Sequence, residues 1–284
     1  MRGDARSMRV LAPRTPAEAS RALAADPRAL ALAGGTDVMV SWNMGLLNGR
    51  TVVDLSRLPW RRVRETKAGL ELGALCTHAD LRRHPDVRAR FPLLAEACAT
   101  VGAAQIQNRG TLGGNLANAS PAGDTFPPLA AYEAIVRCVG PTGRREVPLA
   151  AFFTGVKRTL LAPGELIESV LLPAPPRPWT RSLFRKVGTR AAQAISKTVF
   201  AGLLRVEKGA VADVRLAFGS LAPTVRRLKA AEEFLRGRRL DAEAAARAAD
   251  LLGLDVSPID DVRSTREYRL AASRGLLIRF LKGD

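Results

Sequence analysis

Two glycine-rich loops are the segments of this sequence best suited to chemistry. The first is Leu32-Ala33-Gly34-Gly35-Thr36-Asp37, and it follows a short apolar run that predicts a buried strand. Two glycines let the backbone adopt positive φ and let a ligand approach main-chain amides without a Cβ in the way. Thr36-Asp37 then caps a helical stretch from Val38 to Asn43, whose N-terminus aims free N–H groups at the same point. This arrangement suits a phosphate, although an ordinary strand–turn–helix capped by Thr36 explains the same residues equally well.

The second loop is longer, and it runs Asn108-Arg109-Gly110-Thr111-Leu112-Gly113-Gly114-Asn115-Leu116-Ala117-Asn118-Ala119-Ser120-Pro121. Small polar residues over such a length are typical of a functional segment. We expect the amides of Gly113-Gly114-Asn115 to form a second anion-binding nest with the Thr111 hydroxyl. Two phosphate-binding loops in one domain indicate a diphosphate, and hence a dinucleotide such as FAD. Asp124 follows, and it either accepts hydrogen bonds from sugar or ribityl hydroxyls or caps the helix expected from Phe126 to Tyr132.

The other residues with catalytic potential form no catalytic arrangement. The chain has two histidines, His78 and His84, and a satisfied surface or capping role explains each better than a metal site or a catalytic triad. Cys76, Cys98 and Cys138 are widely spaced and odd in number, which predicts neither a disulfide framework nor a metal site and fits a reducing, cytoplasmic setting. The absence of G-x-G-x-x-G and P-loop motifs argues against a classical dinucleotide fold or an NTPase.

Length and composition bound the class of protein. Of the 284 residues, 47% are hydrophobic and 25% are charged, so the chain should fold into two domains or one large one. No apolar stretch approaches the roughly 20 residues that span a bilayer, and we expect no secretion signal. The net charge of +17 comes from 37 Arg and 7 Lys spread along the chain. Without interleaved aromatics, this pattern favours a basic surface, or one that faces an acidic subunit, over nucleic-acid binding.

The predicted elements are mixed α/β first, then β, then α. The Gly-, Asn- and Ser-rich segment from Gln105 to Gly123 is expected to interrupt the regular structure. The proline-rich run from Pro173 to Pro178 cannot lie inside a helix or a central strand, so it predicts a domain boundary. Beyond it, we expect an antiparallel meander of three strands, Arg181–Val187, Lys197–Glu207 and Val211–Phe218. Three helices are expected to follow, at about Leu228–Leu235, Asp241–Leu252 and Ser264–Leu281.

At these residues the chain resembles a known family. Ala33 to Asp37, and the run from Asn108 to Asp124, resemble the two FAD loops of the molybdenum hydroxylase flavin subunit. This is the medium subunit of carbon monoxide dehydrogenase and its relatives, equivalent to the central domain of xanthine dehydrogenase. Further segments resemble the C-terminal flavoprotein domain of that family: Lys186 to Arg190, Ala194 to Ser196, Leu216 to Thr224 and Asp261 to Arg269.

The resemblance implies an α+β fold with two domains. The first, residues 1–175, would be a two-lobed FAD-binding domain of the vanillyl-alcohol-oxidase type, with lobes at about 1–57 and 58–175. The second, residues 176–284, would be a small domain that combines a three-stranded antiparallel sheet with helices.

The resemblance also implies which residues bind FAD noncovalently. The diphosphate would lie on Ala33–Asp37 and Thr111–Asn115, while Asp124 would hold a hydroxyl. Ile167 and Lys186 would lie near the flavin, and Lys186 would favour a reduced, anionic flavin unless it is simply an exposed strand lysine. The complete implied set is Leu32, Ala33, Gly34, Gly35, Thr36, Asp37, Val38, Val101, Thr111, Leu112, Gly113, Gly114, Asn115, Asp124, Ile167 and Lys186.

The implied function is that of an electron-transfer subunit. A molybdopterin-binding large subunit would hydroxylate the substrate, a 2Fe–2S small subunit would relay electrons, and FAD on this chain would pass them to an external acceptor. The holoenzyme would be a cytoplasmic dimer of heterotrimers, and no side chain of this chain need act as a general base. Since Cys138 is the only cysteine after Cys98, the additional iron–sulfur cluster of some relatives is not expected. The alternative is a free-standing flavin oxidase or reductase of the same superfamily.

Overall fold

The computed structural model describes residues 3–283, and its N-terminal part holds a small parallel sheet. Strands β1 (Arg9–Leu11), β2 (Leu30–Leu32) and β3 (Thr51–Asp54) lie in the order β1–β3–β2. Helix α1 (Pro16–Ala25) connects β1 to β2, and α2 (Val38–Asn43) connects β2 to β3. α1 begins as its sequence predicts, because the Thr15 hydroxyl accepts the Glu18 N–H at 3.2 Å. The first glycine loop follows β2 directly.

The middle of the chain forms a five-stranded antiparallel sheet with short helices. The strands are β4 (Val63–Thr66), β5 (Gly69–Gly73), β6 (Ile135–Gly140), β7 (Gly143–Pro148), β8 (Phe153–Gly155), β9 (Arg158–Thr159) and β10 (Leu166–Pro173). β8 and β9 pair with each other, and the other five lie in the order β4–β5–β10–β6–β7. The helices are α3 (His78–Arg83), α4 (Pro85–Arg90), α5 (Pro92–Thr100), α6 (Ala104–Arg109), α7 (Leu112–Asn118), α8 (Phe126–Ala131) and α9 (Leu149–Phe152).

The segment from Gln105 to Gly123 is more regular than its composition predicts, because it holds most of α6 and all of α7. Thr111 caps α7 by accepting the Gly114 N–H at 3.1 Å. Gly113 packs so closely on Ala74 that a Cβ would lie 2.7 Å from the alanine methyl. The glycine that indicated a loop therefore serves close packing of a helix, which composition alone does not show.

The C-terminal part is an antiparallel sheet covered by helices. Strands β11 (Arg181–Val187), β12 (Thr198–Glu207), β13 (Ala210–Gly219) and β14 (Arg226–Arg227) are neighbours in that order. The helices are α10 (Lys229–Leu235), α11 (Ala242–Asp250), α12 (Leu252–Asp255) and α13 (Arg266–Lys282). The sheet thus has four strands instead of the expected three, and α12 is an additional short helix. A two-residue strand is too short to show the alternation that predicts strands.

Helix α8 joins the two larger sheets. All six of its residues are buried, and it contacts α5, β12 and β13. One core therefore runs from Phe126 and Leu129 of α8 to Val199 and Ala217 of the C-terminal sheet. A second core lies between this sheet and α10, α11 and α13. Among residues 3–283, no helix is both long and apolar enough to span a membrane.

Candidate functional site

The two glycine loops meet at one cavity of about 360 Å³. They touch at Gly34, where a Cβ would collide with the carbonyl oxygen of Arg109. Glycine is needed at this position because the second loop approaches it, not because a ligand does. The neighbouring Gly35 has φ +78°, a left-handed conformation that favours glycine. Both glycines of the first loop therefore shape the wall of the cavity.

The cavity brings together most of the residues that the resemblance implies. Twelve of them line it: Ala33, Gly34, Gly35, Thr36, Asp37, Val38, Val101, Thr111, Gly113, Gly114, Asn115 and Ile167. Four do not: Leu32, Leu112, Asp124 and Lys186. Leu112 is fully buried and Leu32 is the last residue of β2, so these two support the loops by packing.

The first loop presents free backbone amides to the cavity. Within residues 3–283, the N–H groups of Gly34, Gly35, Thr36 and Asp37 make no backbone hydrogen bond. Helix α2 spans Val38–Asn43 as predicted and Asp37 is its N-cap residue, but the predicted side-chain capping is wrong, because Asp37 has helical angles of φ −95° and ψ −41° and its carboxylate accepts no amide of the first turn. That carboxylate accepts a hydrogen bond from Asn118 Nδ2 at 3.3 Å instead. The loop amides therefore remain available to an external acceptor such as a phosphate oxygen.

The second loop does not present its amides, so the anion nest predicted there is not formed. All three predicted amides already have acceptors: Gly113 N–H donates to the Ala74 carbonyl at 2.8 Å, Gly114 N–H to Thr111 Oγ1 at 3.1 Å and Asn115 N–H to the Thr111 carbonyl at 2.9 Å. The Leu112 N–H likewise donates to the Cys76 carbonyl at 2.9 Å. The reason is that α7 packs against the segment before α3, whose carbonyls take the amides. The loop offers side-chain donors instead, the Thr111 hydroxyl and the Asn115 amide.

Gly114 is the glycine whose open side faces the cavity. A Cβ there would collide with Thr111 Oγ1, the oxygen that caps α7, at 2.9 Å, and would meet no atom of another segment within 4 Å. The φ of Gly114 is not positive, so conformation does not require glycine at this position. Its missing side chain leaves room for a ligand to reach the start of α7.

Asp124 and Lys186 form a buried ion pair close to the cavity. Lys186 Nζ lies 2.6 Å from Asp124 Oδ2 and also donates to the Thr100 carbonyl at 2.9 Å. Thr100 immediately precedes Val101 of the lining. The alternative of an exposed strand lysine is therefore wrong for Lys186, which is not exposed. The alternative of a helix cap is wrong for Asp124, because its carboxylate binds a lysine and does not cap α8.

The Asp124 carboxyl keeps one oxygen unused. Its Oδ1 atom is buried and accepts no hydrogen bond within residues 3–283. Burial raises the pKa of Asp124 to about 6, against the opposing effect of the Lys186 ammonium. Because this oxygen is enclosed and Asp124 does not line the cavity, the role of Asp124 towards a ligand hydroxyl rests on the resemblance alone.

The surface or capping role predicted for His78 is wrong. The structure buries this residue, which is only 2% exposed, and places it in the cavity lining rather than at the surface. Capping of α3 is done by Thr77 and Asp80, as their spacing predicts, and His78 is the first helical residue. Nothing in the sequence around His78 signals this position, because its burial depends on the approach of the second loop, whose Gly110 carbonyl accepts the His78 N–H.

The remaining lining is largely apolar, and the sequence analysis did not identify it. These residues lie in β2, after β3 and β5, in α6 and α7, before β4, and at or just before the start of β10. They are Leu30, Ala31, Leu55, Trp60, Ala74, Leu75, Ile106, Ala117, Leu161 and Leu166. Apolar residues at such positions look like ordinary core residues in a sequence. A surface of this kind suits the flat rings of a dinucleotide, while the free amides of the first loop suit its diphosphate.

The fold and the cavity define a two-part dinucleotide-binding protein, and comparison with known proteins gives its family. Residues 6–175 match the FAD-binding domain in molybdopterin dehydrogenase. Residues 183–283 match the CO dehydrogenase flavoprotein C-terminal domain. The chain therefore belongs to the family of FAD-binding subunits of molybdopterin dehydrogenases, which confirms the resemblance. It is an oxidoreductase subunit, and its cofactor is FAD.

Similar proteins cover nearly the whole chain. The carbon monoxide dehydrogenase medium chain of Hydrogenophaga pseudoflava is 33% identical over 88% of this chain and 87% of its own length. The nicotine 6-hydroxylase medium subunit of Paenarthrobacter nicotinovorans is 30% identical over 96% and 95%. A solved structure of the Hydrogenophaga pseudoflava carbon monoxide dehydrogenase, which lacks the Mo-pyranopterin moiety, superposes with a TM-score of 0.92 at 32% identity, covering 97% of this chain and 96% of that one.

Proposed function

We propose that this chain is the electron-transfer subunit of a multi-subunit molybdenum hydroxylase. It takes electrons from iron–sulfur clusters of a partner and passes them through FAD to an external acceptor. The observation that carries this proposal is the single cavity at which both glycine loops meet, in a chain whose relatives are medium subunits. When bound, FAD supplies the redox chemistry, because flavins exchange both single electrons and pairs.

The residues of this chain bind and orient the cofactor. The amides of Gly34–Asp37 donate to diphosphate oxygens, and the Thr111 hydroxyl and Asn115 amide complete the set from the other side. By the resemblance Asp124 holds a hydroxyl of the cofactor, and Lys186 Nζ holds the Asp124 carboxylate in place. The apolar lining excludes water from the rings. None of these steps needs a general base from this chain.

The names "medium chain" and "medium subunit" of the relatives support an assembly with other subunits, whose nature the resemblance implies. We propose a molybdopterin-binding large subunit, a 2Fe–2S small subunit and a dimer of heterotrimers in the cytoplasm. All three cysteines are free and buried, as in proteins of reducing compartments. We assign the FAD-binding domain, of the vanillyl-alcohol-oxidase type, to residues 1–175, with lobes at about 1–57 and 58–175. The C-terminal domain takes residues 176–284.

Gly114→Val tests the proposed site. A β-branched side chain would fill the open side of Gly114 that faces the cavity, so we expect the purified variant to retain less than about a tenth of the wild-type flavin. The measurement is the visible absorbance of flavin per chain, after acid release to show that the cofactor is noncovalent. Gly275→Val is the matched control, because a Cβ at this exposed helical glycine meets no atom within 4 Å.

Two results would contradict the proposal. Near-stoichiometric flavin in folded Gly114→Val protein would exclude the cavity as the FAD site. Purification of the chain without a molybdenum subunit or an iron–sulfur subunit, but with oxidase activity of its own, would favour a free-standing flavin enzyme. The proposed complex predicts that both partner subunits co-purify with the tagged chain.

A further inference from the structure

His78 lies between the two glycine loops, on a segment that belongs to neither. Its backbone N–H donates to the Gly110 carbonyl at 3.0 Å, and Thr77 before it forms an antiparallel bridge with Thr111. These contacts hold the segment against the second loop. The imidazole therefore has a fixed position beside the cavity.

The ring faces the point where the loops converge. A Cβ on Gly110 would lie 3.2 Å from His78 Cδ2 and 3.4 Å from Thr36 Oγ1, so the imidazole and the Thr36 hydroxyl approach the same spot. Thr36 belongs to the loop with the free amides. His78 therefore lies beside the cavity lining that contains the unpaired amides of the first loop, on a third segment of the chain.

Of the two ring nitrogens of His78, Nδ1 is buried and makes no hydrogen bond within residues 3–283, whereas Nε2 is not among the enclosed atoms. Since Nδ1 is enclosed by protein, an external partner can reach only Nε2. Burial lowers the pKa of His78 to about 4, which keeps the imidazole neutral at neutral pH with one N–H donor. No lysine or arginine is among the described residues that line the cavity.

We propose that His78 binds FAD by donating a hydrogen bond from Nε2–H to a diphosphate oxygen held between the two loops. Nε2 is the donor because Nδ1 is enclosed. The proposal rests on the proposed FAD site and adds to it a residue outside both glycine loops. In a cavity whose described lining lacks fixed cations, the diphosphate is then held by neutral donors from three segments.

Three variants of the full-length, deflavinated chain test this role. His78→Leu removes the donor at similar volume, His78→Gln keeps an N–H donor at about the reach of Nε2, and His84→Leu is the control outside the cavity. The dissociation constant of FAD is measured by flavin fluorescence, and that of ADP by competition. We expect His78→Leu to weaken both ligands about tenfold or more, because a hydrogen bond to a charged group is lost. His78→Gln should recover most of the loss, and His84→Leu should bind both ligands as wild type does.

The outcomes separate this role from others. Wild-type affinity for FAD in folded His78→Leu protein would overturn the proposal. Weaker FAD binding with unchanged ADP binding would also overturn it, since the contact would then lie on the flavin ring. If His78→Leu does not fold, an equal loss of affinity in His78→Gln and His84→Leu would count against a specific donor. Failure of the wild-type chain to bind FAD, or retention of FAD by Gly114→Val, would instead contradict the proposed site itself.

Discussion

Asp124 illustrates how burial and a cation act on one carboxyl group. Its side chain is 8% exposed and its partner Lys186 is 11% exposed, so both charges are largely removed from water. Breaking such a pair by removing one partner is costly, because it leaves the other charge buried alone. The pair joins β11 to the segment before α8, and so it links the C-terminal sheet to the wall of the cavity.

The raised pKa of Asp124 predicts a pH-dependent stability. Its native pKa of about 6 lies above the ordinary value of 3.8, so the folded state binds this proton more tightly than the unfolded chain does. The stabilisation from Asp124 is therefore complete below about pH 4 and is lost as the pH rises through about 6, with a size on the order of 3 kcal/mol.

Urea unfolding of wild type and Asp124→Asn at about pH 4.5 and about pH 7.5 measures this effect. Because the variant cannot titrate at this position, the free energy of unfolding of wild type should rise relative to that of Asp124→Asn as the pH falls. The exposed Asp250→Asn change serves as the control, and its difference from wild type should depend little on pH. A difference between wild type and Asp124→Asn that is flat, or that shrinks on acidification, would contradict the burial argument.

At the residue scale, glycines show what a sequence can and cannot predict. Gly34, Gly113 and Gly114 all lie in loops that resemble FAD loops, and the sequence predicted that these loops contain the site. Gly34 and Gly113, however, are needed for contact with Arg109 and Ala74, whereas a Cβ on Gly114 would meet only the Thr111 hydroxyl of its own cap. These roles depend on which distant backbone approaches each residue, and spacing along the chain carries no such information.

At the scale of elements, α13 is anchored to the C-terminal sheet by a buried arginine. Arg269 is 3% exposed, and its guanidinium donates to the Lys197 and Ser220 carbonyls at 2.7 and 3.1 Å and to the Asp261 carboxylate at 2.7 Å. The segment that contains Asp261 is one of those that resemble the family. The structure thus gives these residues a role in positioning a helix.

Asp261→Asn should weaken this anchor. The substitution removes the charged acceptor of a buried guanidinium, so we expect a loss of about 2 kcal/mol in the free energy of unfolding. Asp250→Asn is the matched control, because its ion pair with Arg274 is about half exposed and should contribute well under 1 kcal/mol. Equal effects of the two substitutions in chemical denaturation would show that burial does not strengthen the Asp261 contact.

Elements with strong local signals were predicted from the sequence. The three long C-terminal strands and helix α2 lie where the sequence places them. Helix α7 and strand β14 were missed. In α7, first-turn amides are satisfied by carbonyls of a distant segment, and β14 forms only by pairing with β13. Both elements depend on tertiary contacts that local periodicity does not report.

At the scale of the whole molecule, the two parts share a core. Phe184, Val199, Ala201, Leu203 and Ala217 of the C-terminal sheet pack in the same cluster as the buried residues of α8. The proline-rich boundary therefore separates two segments of sequence whose apolar surfaces cover each other.

Residues 1–175 alone should consequently fail to form a stable FAD-binding unit. Without the C-terminal sheet, α8 and its neighbours would expose a large apolar surface, and such surfaces aggregate. Size-exclusion chromatography and flavin content of the fragment, compared with the full chain, measure this. A monomeric fragment that unfolds cooperatively and holds FAD as tightly as the full chain would show that the shared core is dispensable.

An electron-density map of the full chain with FAD bound tests the central claim most directly. We predict that the diphosphate lies between the amides of Gly34–Asp37 and the start of α7, with its oxygens within hydrogen-bond distance of those amides. A diphosphate located elsewhere, such as in the arginine-lined cavity around Arg137 and Arg144 on the five-stranded sheet, would contradict it.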